Sequence, residues 1–288
     1  MAVSCRMDME EAEPMALPTT YMDTVEATAL ADQIAGWLKE QLEITGAERF
    51  IFGLSGGIDS AVVAGLCTRA VGADRALGII MPSSSNPDDM RAAQLVADAF
   101  GLKTTMVDLT DVTEAVFDAM PDPSTLFSEI LEENEPGDVE NSLQLARANV
   151  RPRLRMITNY YIANLSRGVV VGTGNKSELM IGYFTKYGDG GVDLFPLTDL
   201  YKFEIRAVAK AIGVPDEVIT RPPSAGLWEG QTDENEIGLT YEVLDATLQA
   251  IEQGDTSDVE PEVLAKVQRM IAGSNHKRVA VPAFQRQR

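Results

Sequence analysis

The sequence predicts an α/β fold, a parallel β-sheet with helices on both faces. Three observations carry this. Short apolar runs of strand length alternate with segments whose apolar residues recur at helical spacing. A Gly-Gly pair separates the first such run from the helix after it. The composition is that of a globular chain, with 45% hydrophobic and 24% charged residues over 288 positions.

Residues 1–25 are polar and Pro-containing, with Glu10, Glu11 and Glu13 and no continuous apolar core. They predict a flexible acidic arm rather than a signal peptide. Val25 to Leu42 spaces Ala29, Ile34, Leu38 and Leu42 as one helical face. Phe50 to Leu54 is a buried strand that stops at Ser55-Gly56-Gly57, and Asp59 to Ala70 is a helix of small residues. Ala76 to Met81 is a second strand, followed by the turn from Pro82 to Pro87. Asp88 to Phe100 is a helix closed by Gly101. Lys103 to Leu109 is a third strand, and Asp111 to Met120 a helix.

The acidic stretch 121–141 interrupts this alternation as a mobile excursion. Ser142 to Ser166 reads as one long helix with Pro152 inside it, where the missing N–H predicts a kink. Val169 to Val171 is a fourth strand, a short helix follows Asn175, and Leu200 to Ile212 is another. The segment 221–233 carries two prolines, two glycines and Trp228, the composition of a mobile loop over a site. Helices fill Glu234 to Ala272 before a basic tail. No repeat or composition break divides the chain, so residues 26–288 read as a single domain.

The charge narrows the function. There are 24 Lys and Arg against 44 Asp and Glu, a net charge of −20. That balance repels a phosphate backbone and excludes a general affinity for nucleic acid. Only 8 of the 24 cations are Lys. Acid-rich, Lys-poor surfaces suit concentrated salt, where a Debye length of ~3 Å screens self-repulsion. No run approaches the ~18 apolar residues of a spanning helix. With only Cys5 and Cys67, no disulfide framework exists, and Cys67 in its apolar run predicts a buried, inert thiol. These readings predict a cytoplasmic protein without a membrane partner.

The sharpest motif is Gly53-Leu54-Ser55-Gly56-Gly57-Ile58-Asp59-Ser60, between a strand and a helix. Adjacent glycines let the backbone turn and bring its N–H groups close to a ligand. The Ser55 and Ser60 hydroxyls flank them, and the positive end of the next helix points to the same place. This is a pyrophosphate cradle. Asp59 would repel the phosphate unless a divalent cation lay between them, which implies Mg²⁺. A Gly-Gly pair alone would make only a strand-to-helix turn; the two serines and Asp59 favour the phosphate. Without a Lys the loop is not of Walker type. Gly172-Thr173-Gly174-Asn175-Lys176-Ser177 begins like a dinucleotide fingerprint but has Ser177 at the third glycine position.

Ser-Gly-Gly-x-Asp-Ser after a strand is the signature of the PP-loop ATP pyrophosphatases. From about residue 25 onward the chain resembles the ammonia-dependent NAD synthetases of that superfamily. The match is carried by Asn149 to Met156, Val171 to Glu178, Gly182 to Gly190, Asp193 to Pro196, Leu200 to Lys202 and Arg221 to Leu227. One departure is Pro152, where the family usually has Ala. The resemblance implies an adenine-nucleotide α-hydrolase-like (Rossmann-like) fold and synthesis of NAD⁺ from deamido-NAD⁺, ATP and ammonia, through an NAD-adenylate, with release of AMP and pyrophosphate.

It further implies that Gly53 to Ser60, Thr173, Lys202 and Ser224 bind ATP, and that Asp59 and Glu178 hold Mg²⁺. Arg153, Lys186, Asp193, His276 and Lys277 would bind deamido-NAD⁺, with Asp59, Lys186 and Asp193 catalytic and Asp193 orienting the ammonia. Family members are homodimers with this site near the subunit interface, so a homodimer is implied too. Read without the resemblance, Glu178, Lys186 and Lys202 are ordinary surface charges and His276 an unremarkable lone histidine. Two alternatives stand beside this reading: another PP-loop adenylating ligase, and a nucleotide sensor without catalysis. The metal-holding carboxylates argue against the sensor. The sulfur-inserting members of the superfamily need paired cysteines that Cys5 and Cys67 do not supply.

Overall fold

The structure, a computed structural model, describes residues 22–84, 86–121, 136–223 and 232–286. Most of the acidic arm, nearly all of 121–135 and residues 224–231, with Ser224 among them, lie outside the described residues.

Asp23 starts the first helix, α1 (Thr24–Thr45), by accepting hydrogen bonds from the Val25 and Glu26 amides at 2.7 and 2.8 Å. The Glu26 carboxylate closes the capping box on the Asp23 amide. Then come β1 (Arg49–Gly53), α2 (Ile58–Val71), β2 (Ala76–Ile80), α3 (Pro87–Phe100), β3 (Lys103–Met106) and α4 (Thr110–Ala119). The second half carries α5 (Pro136–Ala148), α6 (Val150–Ser166), β4 (Gly168–Val170), α7 (Lys176–Ile181), α8 (Lys202–Ile212), α9 (Asp216–Ile219), α10 (Asp233–Ile237), α11 (Tyr241–Gln253) and α12 (Pro261–Arg278).

The four strands form one parallel sheet in the order β3-β2-β1-β4. Successive β1 residues bury to opposite faces. Phe50 and Phe52 pack with Leu38, Leu66 and Ile205 of α1, α2 and α8, while Ile51 packs with Ile79, Val170 and Ala163 of α6. Both faces are therefore covered by helices. Cys67 is buried in the first cluster, and burial pushes its thiol well above the usual range. No described helix is long and apolar enough to cross a membrane.

The chain winds from β1 outward to β3, then returns to place β4 on the other side of β1. The carboxyl ends of β1 and β4 flank the reversal, where open α/β sheets form their ligand crevice.

Several element boundaries differ from expectation; α5 begins at Pro136, inside the stretch 121–141 expected to interrupt the fold. The helix expected over 142–166 is two helices that meet at Asn149. Asn149 stays in the right-handed helical region with its amide on the Leu145 carbonyl at 3.0 Å, and Pro152, three residues on, has no N–H for the Ala148 carbonyl, so the interruption falls where the proline predicts it. The third strand ends at Met106 rather than Leu109, as an exposed edge. The last helix runs on to Arg278, so His276, Lys277 and Arg278 form its final turn rather than a tail. Cations suit that negative end of the helix dipole.

Candidate active site

The loop from Gly53 to Ser60 leaves β1 and enters α2. Gly56 has φ +82°, and a Cβ on it would strike the Asp89 carbonyl oxygen and lie 3.0 Å from the Ala92 Cβ. Both the backbone angle and the close approach to α3 require glycine there. The two serines brace the loop from inside. Ser60 Oγ donates to the Gly57 carbonyl at 2.9 Å and receives the Ser55 amide at 3.2 Å. Ser55 Oγ lies 3.1 Å from Ser60 Oγ and accepts the Gly57 amide at 3.3 Å. Ser55 and Gly57 remain exposed, so the cradle opens to solvent.

Asp59, in the first turn of α2, faces the loop that leaves β4. Its Oδ1 accepts from Asn175 Nδ2 at 2.9 Å and its Oδ2 from Lys202 Nζ at 2.6 Å. The same ammonium donates to Glu178 Oε1 at 3.1 Å. Lys202 is only 2% exposed, and its Nζ also lies 4.7 Å from the Tyr241 ring centroid. Burial would lower its pKa, but the Asp59 and Glu178 carboxylates reverse this and hold the ammonium above its usual range. Burial pushes Glu178 up, with Lys202 opposing.

The network extends outward. Tyr241 OH donates to Glu178 Oε1 at 3.2 Å and Asp233 Oδ2 at 3.1 Å, and Tyr183 OH reaches Asp233 and Glu236. Below it, Ser177 Oγ donates to Asp245 Oδ1 at 2.5 Å and accepts the Lys202 amide at 3.1 Å. Asp245 Oδ2 accepts the Phe203 amide at 3.2 Å. Asp245 thus ties the starts of α7 and α8, which carry Glu178 and Lys202. Burial pushes its carboxyl up to about 6.

A second group stands at the other end of α7. Lys186 Nζ donates to the His276 carbonyl at 2.7 Å, and Arg153 Nη2 approaches the Lys186 carbonyl at 3.4 Å. Lys277 Nζ donates to the Gly182 and Phe184 carbonyls, each at 2.7 Å. Burial lowers the Lys277 ammonium, with Asp189 opposing. Asp193 sits after β4, its carboxylate fixed by the Val170 amide and the Tyr160 hydroxyl, both at 2.8 Å.

The structure therefore brings Asp59, Glu178 and Lys202 together beside the glycine loop, and Arg153, Lys186, His276 and Lys277 together some way off. His276 is joined to its group through its backbone carbonyl, not its ring. Thr173 is half-buried between β4 and α7. Sequence reasoning missed Asn175, Ser177, Asp233, Tyr241 and Asp245. The signal for Asn175 was available: Asn175 and Glu178 form a capping box at the start of α7.

A parallel sheet with a Ser-Gly-Gly-x-Asp-Ser loop at its switch point, and a buried Lys between two carboxylates, defines a nucleotide-binding α/β enzyme of the PP-loop class. The family model for NAD synthase matches residues 30–281, and the chain belongs to that family. Membership makes it an enzyme of NAD synthesis. It is 43% identical over 256 residues to the NH(3)-dependent NAD(+) synthetase of Finegoldia magna, covering 89% of this chain and 95% of the relative. Among solved structures, an NMN synthetase from Francisella tularensis is 30% identical with a TM-score of 0.74, covering 90% of this chain and 99% of that one. A glutamine-dependent NAD⁺ synthetase from Acinetobacter baumannii is 26% identical with a TM-score of 0.57, and the match covers 90% of this chain but 47% of that one.

Proposed function

We propose that the protein makes NAD⁺ from deamido-NAD⁺ and ammonia at the expense of ATP, which is cleaved to AMP and pyrophosphate. The carrying observation is the convergence of Asp59 and Glu178 on one buried ammonium beside a serine-braced Gly-Gly loop. A leaving pyrophosphate needs N–H and O–H donors, which the loop offers, and positive charge, which a cation held by Asp59 and Glu178 would supply. In the first step a nicotinate carboxylate oxygen attacks the α-phosphorus, and pyrophosphate leaves with the electrons of the broken P–O bond. Gly53 to Ser60 hold the pyrophosphate, while Thr173 and Lys202 contact ATP. Ammonia then attacks the acyl carbon, AMP departs with the bridging oxygen, and a proton is released. Asp193, fixed on two sides, orients the ammonia. Arg153, Lys186, His276 and Lys277 hold the anionic deamido-NAD⁺.

The donor set fits Mg²⁺. This ion commonly binds through one or two carboxylates and completes its shell with phosphate oxygens and water. Each Asp59 oxygen accepts one hydrogen bond from the protein and keeps a further lone pair. Asp59 and Glu178 would hold the ion, which would neutralise charge building on the leaving pyrophosphate.

Ammonia as the nitrogen source is supported by 43% identity over 95% of an NH(3)-dependent relative. Releasing ammonia from glutamine needs its own activated nucleophile. A homodimer is supported by an exposed apolar stripe on α6, where Ile157, Tyr161 and Leu165 recur every fourth residue at 57%, 65% and 71% exposure. We further propose a cytoplasmic, salt-adapted enzyme whose catalytic unit is residues 26–288. The test is mass spectrometry of NAD⁺ after mixing protein, ATP, Mg²⁺ and deamido-NAD⁺ with ammonium or with glutamine. Turnover with ammonium alone is expected, and equal turnover on glutamine would overturn the nitrogen source. The likeness to an NMN synthetase favours one second reading, amidation of nicotinate mononucleotide. A higher kcat/KM for the mononucleotide would establish it.

A further inference from the structure

We infer that Arg221 is a positioning residue for the pyrophosphate loop, an inference that rests on the functional reading above. Arg221 lies just after α9, far in sequence from the loop. Its Nη1 donates to the Gly56 carbonyl at 3.3 Å, and its Nη2 to Asp89 Oδ1 of α3 at 2.7 Å. The Arg221 side chain is 26% exposed, and its guanidinium joins the glycine loop to the helix against which Gly56 is pressed. The consequence follows from peptide geometry. In a trans peptide the C=O and N–H point in opposite directions. Holding the Gly56 oxygen on Arg221 therefore turns the Gly57 N–H the other way, toward Ser55 Oγ and the exposed mouth of the cradle. A peptide between two glycines is the one most easily turned over. Turned over, it would present a carbonyl oxygen to the phosphate in place of a donor. Arg221 thus fixes which end of that dipole the pyrophosphate meets. Lys would satisfy one of the two acceptors, whereas the guanidinium fork reaches both.

A control is built into the same contact. Arg91 of α3 pairs with Glu217 of α9, so the two elements are joined by a second ion pair that does not touch the loop. The experiment compares wild type with Arg221→Ala, Arg221→Lys and Glu217→Gln in steady-state kinetics, pyrophosphate product inhibition and thermal melts. For Arg221→Ala, kcat/KM for ATP should fall roughly tenfold to hundredfold, the effect of losing hydrogen bonds to a charged group. Pyrophosphate inhibition should weaken in parallel, while KM for deamido-NAD⁺ stays within about threefold. Arg221→Lys should fall between, and Glu217→Gln should match wild type in kcat/KM. Guanidinium at millimolar concentration should partly restore Arg221→Ala, against sodium chloride of equal ionic strength. If Arg221→Ala does not fold, Arg221→Lys carries the same ATP and pyrophosphate comparison. Unchanged ATP kinetics in a folded Arg221 variant, with wild type still forming AMP and pyrophosphate, would overturn the positioning role alone. Wild type forming neither product would overturn the underlying reading.

Discussion

The two ends of the site handle charge in opposite ways. At the loop end, Lys202 is buried and shared by Asp59 and Glu178, with Asn175 and Tyr241 satisfying further carboxylate lone pairs. At the far end, Lys186 and Lys277 are held by backbone carbonyls rather than by carboxylates. A carbonyl orients an ammonium without cancelling its charge, so those cations keep most of their attraction for an anionic substrate. In the proposed reading the buried end serves stability and chemistry, and the far end binding.

The largest expected effect follows from the buried end. Replacing Lys202 with Met leaves Asp59 and Glu178 facing each other without a counter-charge. Removing one partner of a buried pair costs about 3 kcal/mol or more, so the melting temperature in metal-free buffer should drop by several degrees. An unchanged melt would mean that the ammonium is not what holds the two carboxylates together. Asp59→Asn keeps the shape and both neighbours but removes the charge. Turnover should fall ~10²-fold or more, since neutralising the leaving group is worth several kcal/mol and each 1.36 is tenfold. Glu178→Gln should behave alike, and the double variant should lose far less than the product of the two. Multiplicative losses would separate the roles of the two carboxylates.

Asp245 sharpens the same contrast through pH. Burial raises its folded-state pKa to about 6 from an ordinary 3.8. Its contribution to stability is therefore complete below about pH 4 and is lost as pH rises through 6, roughly 3 kcal/mol in all. Asp245→Asn should flatten this part of the stability profile in chemical denaturation between pH 4 and 7. An identical slope in both proteins would count against it. The smallest effect belongs to the far end. Lys186→Gln should raise KM for deamido-NAD⁺ about tenfold while KM for ATP stays put, because one charge-assisted contact is lost. A change in both constants would join the two ends into one.

The same division governs what could be read from the sequence. Contiguous signals were legible: the strand before Ser55, the glycine pair, Asp59 at the start of α2, and the alternation that makes the sheet parallel. Glu178 and Lys202 entered only through the family's spaced motifs, since a single Glu or Lys on a helix carries no sign of burial. Tyr241 and Asp245 lay in an ordinary amphipathic helix, and only the packing of α11 against α7 and α8 turns them inward. Pro152 was legible as an interruption of the long helix, and the structure puts the break one turn before it, at Asn149.

The central claim is that the acceptor carboxylate is adenylated before nitrogen arrives, and an isotope label tests it most directly. Deamido-NAD⁺ carrying ¹⁸O in both nicotinate carboxylate oxygens is turned over with ATP, Mg²⁺ and ammonium, and the products are weighed by mass spectrometry. One ¹⁸O is expected in AMP and none in pyrophosphate, because the oxygen that attacks the α-phosphorus leaves with it. Label in pyrophosphate or inorganic phosphate, or ADP in place of AMP, would contradict the mechanism.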